Sequence, residues 1–178
     1  MMKQGLDTPG VLEALSGGDI RKANELMGSA WCIRGLVVHG NHLGRTLGYP
    51  TANLELPDGS PFLLANGVYA VKAIVNSLVY NGMANAGFRP TIAGKTLTIE
   101  VNLFDFSGDL YGKTLVVSFY DRIREEKKFE SLDHLVQQIH LDKTEALRLL
   151  SQRHHPDPDA KNTSGRWSEY PPLYFLFS

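Results

Sequence analysis

The feature that most constrains this 178-residue chain is a series of short β-rich segments between Trp31 and Ile123. The segments are rich in Val, Ile, Leu and Tyr or alternate apolar with polar residues, as strands do. They are Gly35–Val38, Val68–Val75, Val79–Tyr80, Leu97–Phe104 and Leu115–Tyr120. Tight turns are predicted at Asn76–Ser77 and Gly94–Lys95. Because helical segments do not alternate with these strands, the pattern favours a closed or half-closed antiparallel barrel over a doubly wound sheet.

Two short helices are predicted before the strands, in residues 8–28. Thr8 followed by Pro9 is typical of an N-cap with proline at the first helical position, and Asp19 is the predicted cap of the second helix. A helix pair this small cannot hold a core by itself, so it must pack on another part of the chain. We therefore treat residues 1–30 as a helical appendage.

Residues 131–152 are predicted to return to helix. Ser131 is a suitable N-cap, and the apolar residues that follow it keep helical spacing. Asp142 has the pattern of a second helix start within this stretch. The barrel domain with its C-terminal helix is accordingly assigned to residues 31–153, which leaves residues 154–178 as a tail of unknown role.

Composition limits the partners that this chain is expected to have. The 18 Lys and Arg residues nearly balance the 19 Asp and Glu residues, for a net charge of −1, so no overall field attracts nucleic acid or an anionic membrane. Cys32 is the only cysteine, which excludes an internal disulfide and favours a reducing compartment. With neither a signal peptide nor a membrane span recognisable, we expect a cytoplasmic monomer that binds small molecules.

The densest local signal is the glycine-rich stretch at residues 39–53. Its glycines allow backbone N–H groups to approach a bulky anion, and Arg45 adds a positive charge. Thr51 and Asn53 offer two neutral oxygens, which together with phosphate oxygens suit Mg²⁺. The alternative is an ordinary loop in which the glycines only form turns, and composition alone does not decide between the two.

The segment Leu97–Phe104 separates into two faces by strict alternation. Leu97, Ile99, Val101 and Leu103 form the apolar face, whereas Glu100 is presented on the opposite face together with Thr98, Asn102 and Phe104. A carboxylate held by a rigid strand can act as a general base. The alternative is an acidic residue on a solvated sheet face.

A mixed-charge run at residues 122–129 lies just before the last predicted helix. Runs of this kind are usually solvated surface. In this one, basic groups alternate with the aromatic ring of Phe129, which could flank a planar ligand. Because it contains few apolar residues, we expect it to be a mobile flap that a ligand orders.

Taken together, these residues resemble the riboflavin kinase family, in particular the kinase module of bacterial bifunctional FAD synthetases. The resemblance extends from about Cys32 to Leu150 and preserves the order of its sequence blocks. The central block is Gly48-Tyr-Pro-Thr-Ala-Asn53. The others are Gly67-Val-Tyr69, Asn85-Ala-Gly-Phe-Arg-Pro-Thr91, Ile99-Glu-Val101, Asp105-Phe-Ser-Gly-Asp-Leu-Tyr-Gly112 and Arg124-Glu-Glu-Lys-Lys-Phe129.

The resemblance implies a six-stranded antiparallel Greek-key (split) barrel with a helix alongside, and a role for each matching residue. Expected to bind ATP are Gly40, Arg45, Leu103, Asp105 and Tyr111. Expected to ligate Mg²⁺ are Thr51 and Asn53, and the expected catalytic base is Glu100. Expected to contact the flavin are Arg124, Lys127 and Phe129.

The implied reaction moves the γ-phosphate of ATP to the 5′-hydroxyl of riboflavin and gives FMN and ADP. The nucleotidyltransferase domain that precedes this module in the bifunctional enzymes has no counterpart before residue 31, so FAD production is not expected from this sequence. The alternative is a non-catalytic flavin- or nucleotide-binding barrel with a regulatory role. The presence of Thr51, Asn53 and Glu100 argues against that alternative.

Overall fold

The computed structural model describes residues 7–40, 43–57, 62–91 and 94–152. Within these ranges six strands close into an antiparallel barrel: β1 (Trp31–Val38), β2 (Ala52–Glu55), β3 (Gly67–Val75), β4 (Leu78–Thr91), β5 (Gly94–Leu103) and β6 (Thr114–Arg124). The helices are α1 (Thr8–Gly17), α2 (Ile20–Met27), α3 (Leu43–Thr46) and α4 (Leu132–Ser151). The predicted six-stranded antiparallel barrel with a C-terminal helix is therefore confirmed. The tail at residues 154–178 lies outside the described residues.

The strands follow one another around the barrel in the order β1-β2-β5-β4-β3-β6. The hairpin-connected strands β3, β4 and β5 are neighbours, and β6 returns to pair with β3 on the far side. This is the Greek-key arrangement. It places the short strand β2 directly beside β5, although the paired residues, from Leu54–Ile99 to Ala52–Val101, are 45 to 49 positions apart in sequence. That separation is about an order of magnitude more than a hairpin loop contains.

The β3–β4 hairpin turns at the two residues that the sequence indicates. Asn76 and Ser77 have φ angles of +50° and +67°. Positive φ at both central residues matches the right-handed twist of the flanking strands. Val75 and Leu78 pair directly across this turn, so the prediction is confirmed here.

Other boundaries differ from the predictions. The turn predicted at Gly94–Lys95 is wrong, because both residues belong to β5 and pair with Thr91 and Pro90 of β4. β6 continues through Arg124, so the first part of the run at residues 122–129 is strand. The strand β2 and the short helix α3, both inside the glycine-rich stretch, were not anticipated from its turn-forming composition.

The barrel interior is filled by alternate residues of all six strands, as a small barrel requires. From β5 the inward residues are Ile99, Val101 and Leu103, and β6 contributes Leu115, Val117 and Phe119. All six are less than one-tenth exposed.

Helices α1 and α2 pack against the barrel and share its core. Val11, Leu15 and Ile20 are buried in the same cluster as the inward strand residues. The cap of α1 is Asp7 rather than the predicted Thr8, since the Asp7 Oδ1 accepts a hydrogen bond from the Gly10 N–H at 3.1 Å. The predicted Asp19 cap of α2 is confirmed by its bond from the Lys22 N–H.

Helix α4 packs on the outside of the barrel and creates a second apolar core. Ala146 is fully buried there against Ala70, Met83 and Phe104. Phe104 is therefore buried, although strand alternation assigned it to the polar face, because α4 covers that face. The helix is also continuous, so the second start predicted at Asp142 is wrong. No helix in the described part of the chain is long and apolar enough to cross a membrane.

Candidate active site

A cavity of about 290 Å³ lies between the outer face of the barrel and helix α4. Its polar walls come mainly from the loop before β2 and from strands β4 and β5, and include Thr51, Asn85, Glu100 and Asn102. Its apolar walls come mainly from the segment after β6 and from α4, and include Phe129, Leu135 and Ile139. The cavity thus combines clustered polar groups with a surface suited to an apolar ring system.

Three polar residues form a row across neighbouring strands, and two of them, Glu100 and Asn85, line this cavity. Glu100 on β5 pairs with Asn53 on β2 on one side and with Asn85 on β4 on the other. Directly opposed residues in antiparallel strands extend to the same face, with Cβ atoms about 4.5–5.5 Å apart. The register therefore places one carboxylate between two carboxamides, on the rigid part of the barrel.

Two glycines allow the loop before β2 to lie close to this row. A Cβ atom at Gly40 would stand only 2.0 Å from the Asn53 Nδ2 atom. At Gly44 it would stand 2.3 Å from the Tyr49 carbonyl oxygen and 3.1 Å from the Thr51 Oγ1. No larger residue fits at either position without displacing the groups that border the cavity.

The oxygen atoms in this region fit a hard divalent cation. Asn53 and Thr51 offer neutral oxygens and lie one residue apart, and the Glu100 carboxylate is opposite Asn53. Mg²⁺ in phosphoryl-transfer sites takes one or two protein oxygens and completes its shell with phosphates and water. The donors present at this position match that requirement.

Asn102 is a cavity residue whose role the sequence analysis did not identify. Its side chain is 5% exposed, and its Nδ2 donates a hydrogen bond of 2.7 Å to the Pro50 carbonyl. This bond attaches the turn that contains Thr51 to strand β5. The signal was present, because alternation already assigned Asn102 to the same face as Glu100.

Tyr49 connects the same loop to helix α4. Its hydroxyl hydrogen-bonds to the His140 Nδ1, and the two rings meet edge to face at 5.3 Å. Loss of hydration raises the pKa of the Tyr49 hydroxyl, so this group stays protonated at neutral pH. The loop and the helix on opposite walls of the cavity are thus joined by a side-chain hydrogen bond.

Phe129 is the aromatic wall of the cavity and lies between two cations. The Lys127 Nζ is 5.5 Å from the ring centroid, and the Arg124 guanidinium carbon is 5.7 Å from it. Cations at such distances are attracted by the negative face of an aromatic ring. The three residues predicted to contact the flavin are therefore close together, at the edge of one cavity.

Arg124 is more tightly held than a residue of a mobile flap would be. Its Nε and Nη2 donate three hydrogen bonds of 2.7–3.0 Å to the Asp142 carboxylate on α4, and its Nη1 donates to the Glu125 carbonyl at 2.8 Å. The Asp142 side chain is only 3% exposed. This ion pair was missed because the sequence pattern of Asp142 is that of a helix cap.

None of the five residues predicted to bind ATP lines the cavity, Gly40 included. Leu103 points into the barrel interior, and Arg45 is exposed on α3. Asp105 follows β5 with φ at +56° and an exposed side chain. Tyr111 is about half exposed and stacks on His39 with ring centroids 3.7 Å apart.

Comparison with known proteins agrees with this geometry. The family model for flavokinase, described as riboflavin kinase, matches residues 27–150, which is most of the chain and includes the whole barrel and nearly all of α4. The chain belongs to the riboflavin kinase family. That assignment confirms the resemblance drawn from the sequence blocks.

Bifunctional relatives of this chain are longer than it. The bifunctional riboflavin kinase/FMN adenylyltransferase of Bacillus subtilis is 48% identical over 141 residues, which are 78% of this chain and 44% of that protein. The corresponding protein of Haemophilus influenzae is 45% identical over 141 residues, 78% of this chain and 45% of its own length. The chain therefore spans about half the length of the curated relatives that it matches.

A solved structure of the riboflavin kinase family also shares the fold. Riboflavin kinase from Trypanosoma brucei is 28% identical, with a TM-score of 0.51 over 68% of this chain and 80% of that one. The similarity includes most of the Trypanosoma protein, so the barrel with its attached helix is the common part.

Proposed function

We propose that this protein is a riboflavin kinase that transfers the γ-phosphate of ATP to the 5′-hydroxyl of riboflavin, giving FMN and ADP. The observation that carries this proposal is the polar row of Asn53, Glu100 and Asn85, of which Glu100 and Asn85 line the same cavity as Phe129. A carboxylate among neutral donors suits activation of a hydroxyl, and an aromatic wall suits a planar ring. Family membership supports the same reaction.

Glu100 is proposed as the general base. Its carboxylate accepts the proton of the ribityl hydroxyl while that oxygen forms a bond to the γ-phosphorus. The bond from this phosphorus to the β,γ-bridging oxygen breaks, and ADP leaves with the electron pair. Positioning and charge neutralisation supply most of the catalysis in such a transfer, so a base fixed on a barrel strand is well suited.

Thr51 and Asn53 are proposed to hold Mg²⁺ together with phosphate oxygens. When bound there, the cation offsets negative charge that develops on the phosphate groups. Asn102 keeps the Thr51 turn in place through the Pro50 carbonyl. Gly40 and Gly44 leave room for this arrangement.

The nucleotide is proposed to lie along the loop side of the row. Arg45 on α3 is a cation for its phosphates, and Gly40 belongs to the loop above them. Leu103, Asp105 and Tyr111 are proposed to surround its remainder. The exposed stack of Tyr111 on His39 supports this proposal, because it offers an aromatic face at the mouth of the barrel.

The flavin is proposed to lie against Phe129, Leu135 and Ile139. Stacking of a heteroaromatic ring on an aromatic side chain contributes about 1–3 kcal/mol in nucleic-acid complexes, and a similar gain is expected here. Lys127 supplies a cation at the edge of the same wall.

We also propose that FMN is the final product and that this sequence does not make FAD. The match is to the riboflavin kinase family model, and the adenylyltransferase function is named for relatives of about twice the length. We further propose a cytoplasmic monomer whose partners are riboflavin and Mg-ATP. The near-neutral net charge supports the expectation that it binds neither nucleic acid nor an anionic membrane, and the single cysteine supports a reducing compartment.

The direct test is to incubate the protein with riboflavin, ATP and Mg²⁺ and to separate the products by chromatography. FMN and ADP are expected in equal amounts, without FAD. Riboflavin or ATP bound without turnover would instead indicate the non-catalytic barrel. A parallel incubation with FMN and ATP tests the absence of FAD synthesis.

A further inference from the structure

The Arg124–Asp142 ion pair stands where strand, loop and helix meet at the cavity edge. Arg124 is the last residue of β6, and Asp142 lies on α4 and is 2% exposed. Gln138, one helical turn earlier on α4, donates its Nε2–H to the Asp142 Oδ1 at 2.8 Å. The carboxylate therefore accepts from two side chains and has no freedom to rotate.

The guanidinium in turn holds two further groups. Its Nη1 donates to the carbonyl of Glu125, the first residue of the segment at residues 125–130, and its Cζ lies 5.7 Å from the Phe129 ring centroid. The orientation of Arg124 thus influences both where this segment starts and where its aromatic ring lies. Asp142 determines the orientation of Arg124.

Stability alone does not account for a carboxylate buried at this position. Taking an ion pair out of water is unfavourable, and apolar residues of similar volume give equal or greater stability at many such sites. A bidentate pair does provide fixed geometry, because the planar guanidinium matches the carboxylate in only a few orientations. The pair therefore contributes an orientation that apolar packing would not specify.

We propose that Asp142, held in place by Gln138, is a positioning residue of the riboflavin site that acts through Arg124 on Phe129. This inference rests on the proposed riboflavin kinase function. Asp142 itself is not proposed to contact the reacting hydroxyl or the phosphates. It sets the distance between the Phe129 wall and the α4 wall, formed by Leu135 and Ile139, before substrate arrives.

Two variants and a matched control test the proposal. Asp142→Asn keeps the shape but removes the charge, and Gln138→Leu removes only the supporting hydrogen bond. Ala146→Gly is the control, because it weakens the same helix at a buried position away from the cavity wall. For each variant, kcat and the KM values for riboflavin and for ATP are measured, together with the unfolding midpoint.

Displacement of the Phe129 wall should weaken the binding of riboflavin and leave the binding of ATP unchanged. Asp142→Asn is expected to raise the riboflavin KM about tenfold or more, because a misplacement of about 1 Å in a positioned site costs up to about 10²-fold. Gln138→Leu should act in the same direction by a smaller factor, and the ATP KM should not change. If Ala146→Gly, with an equal loss of stability, raises the riboflavin KM equally, the ion pair is only structural and the proposal is wrong.

Hydrogen exchange of the ligand-free protein tests the positioning role of Asp142 independently of the proposed function. Amides in residues 125–130 should exchange faster in Asp142→Asn than in the wild type, whereas Ala146→Gly should not show this local change. If the wild type makes no FMN, the proposed function fails, yet faster exchange in this segment still supports the positioning role. Unchanged exchange in Asp142→Asn overturns the positioning role even in an active kinase.

Discussion

Glu100 is the residue on which the proposed chemistry depends most directly. Replacing it with Gln keeps the size and the strand but removes the proton acceptor, so kcat should fall by about 10²–10⁴-fold, the usual contribution of a positioned base. Steady-state kinetics and thermal unfolding of Glu100→Gln provide the measurement. Glu55→Gln is the control, because Glu55 is an exposed carboxylate on the neighbouring strand β2. A variant with wild-type kcat would assign the base to another group.

Thr51 and Asn53 are expected to affect the metal-dependent step. Thr51→Val and Asn53→Ala each remove one neutral oxygen from a site with few protein ligands, so the Mg²⁺ concentration for half-maximal activity should rise in both variants. Titration of Mg²⁺ at fixed ATP measures this change. Wild-type Mg²⁺ dependence in both variants would mean that these residues only shape the turn.

Among the elements, the segment at residues 125–130 is the part of the site most dependent on ligand. It connects β6 to α4, and five of its six residues are charged, so few apolar contacts oppose its opening. The backbone amides of this segment should exchange hydrogen more slowly when riboflavin and Mg-ADP are added together, since the bound flavin covers Phe129. Hydrogen exchange by mass spectrometry resolves this segment. Complete protection without ligand would instead indicate a preformed wall.

Asn24 is a buried polar side chain that joins helix α2 to the barrel. Asn24 is 3% exposed, donates to the Phe119 carbonyl at 2.8 Å and accepts from the Trp31 N–H at 2.7 Å. Asn24→Ala leaves both backbone groups unpaired in a buried site, at a cost of about 2 kcal/mol. The melting temperature, measured by thermal unfolding, should fall by about 4–8 °C.

Lys22→Ala is the matched control for this change, because the Lys22 side chain is exposed on the same helix. It should leave the melting temperature nearly unchanged. Equal melting temperatures for Asn24→Ala and the wild type would show that α2 is not coupled to the folding of the barrel.

Local patterns predicted those parts of the fold that depend on local geometry. The Asn76–Ser77 turn and the alternation around Glu100 follow from backbone conformation and from the two-residue period of a strand, so both are visible in sequence. The burial of Phe104 is not visible in sequence, because it results from the packing of α4 on the outer face of the barrel. Arg124 and Asp142 are likewise 18 residues apart on different elements, and no local period links them.

The residues of the candidate site divide in the same way, into those that the sequence reveals and those that only tertiary packing reveals. Sequence blocks led to Thr51, Asn53 and Glu100. The structure pairs Asn53 with Glu100 on adjacent strands and places Thr51 just before β2. Asn102 and Asp142 were missed, because their function consists of holding other groups. Such support becomes visible only when the register of β5 and the position of α4 are known.

At the scale of the whole molecule, Cys32 is a natural probe of barrel opening. It is the only cysteine of the chain and lies in β1, which pairs with β6 and β2 in the closed sheet. Burial raises the pKa of its thiol above the ordinary value. Because the thiolate is the reactive form, the native protein should be alkylated more slowly than the unfolded chain, whose thiol pKa is about 8.5.

The raised pKa of Cys32 also fixes the sign of a pH effect. Protons bound by the folded state favour it at low pH, so this contribution to stability is present below about pH 8.5 and is lost as the pH rises through the folded value. Alkylation by iodoacetamide at pH 8, followed by intact-mass measurement, should be at least about tenfold slower in the native protein than in urea. Asn24→Ala should accelerate labelling and Lys22→Ala should not, because exposure of β1 requires the barrel to open. Equal labelling rates for the native and unfolded protein would mean that the thiol is accessible in the closed barrel and reports nothing on its opening.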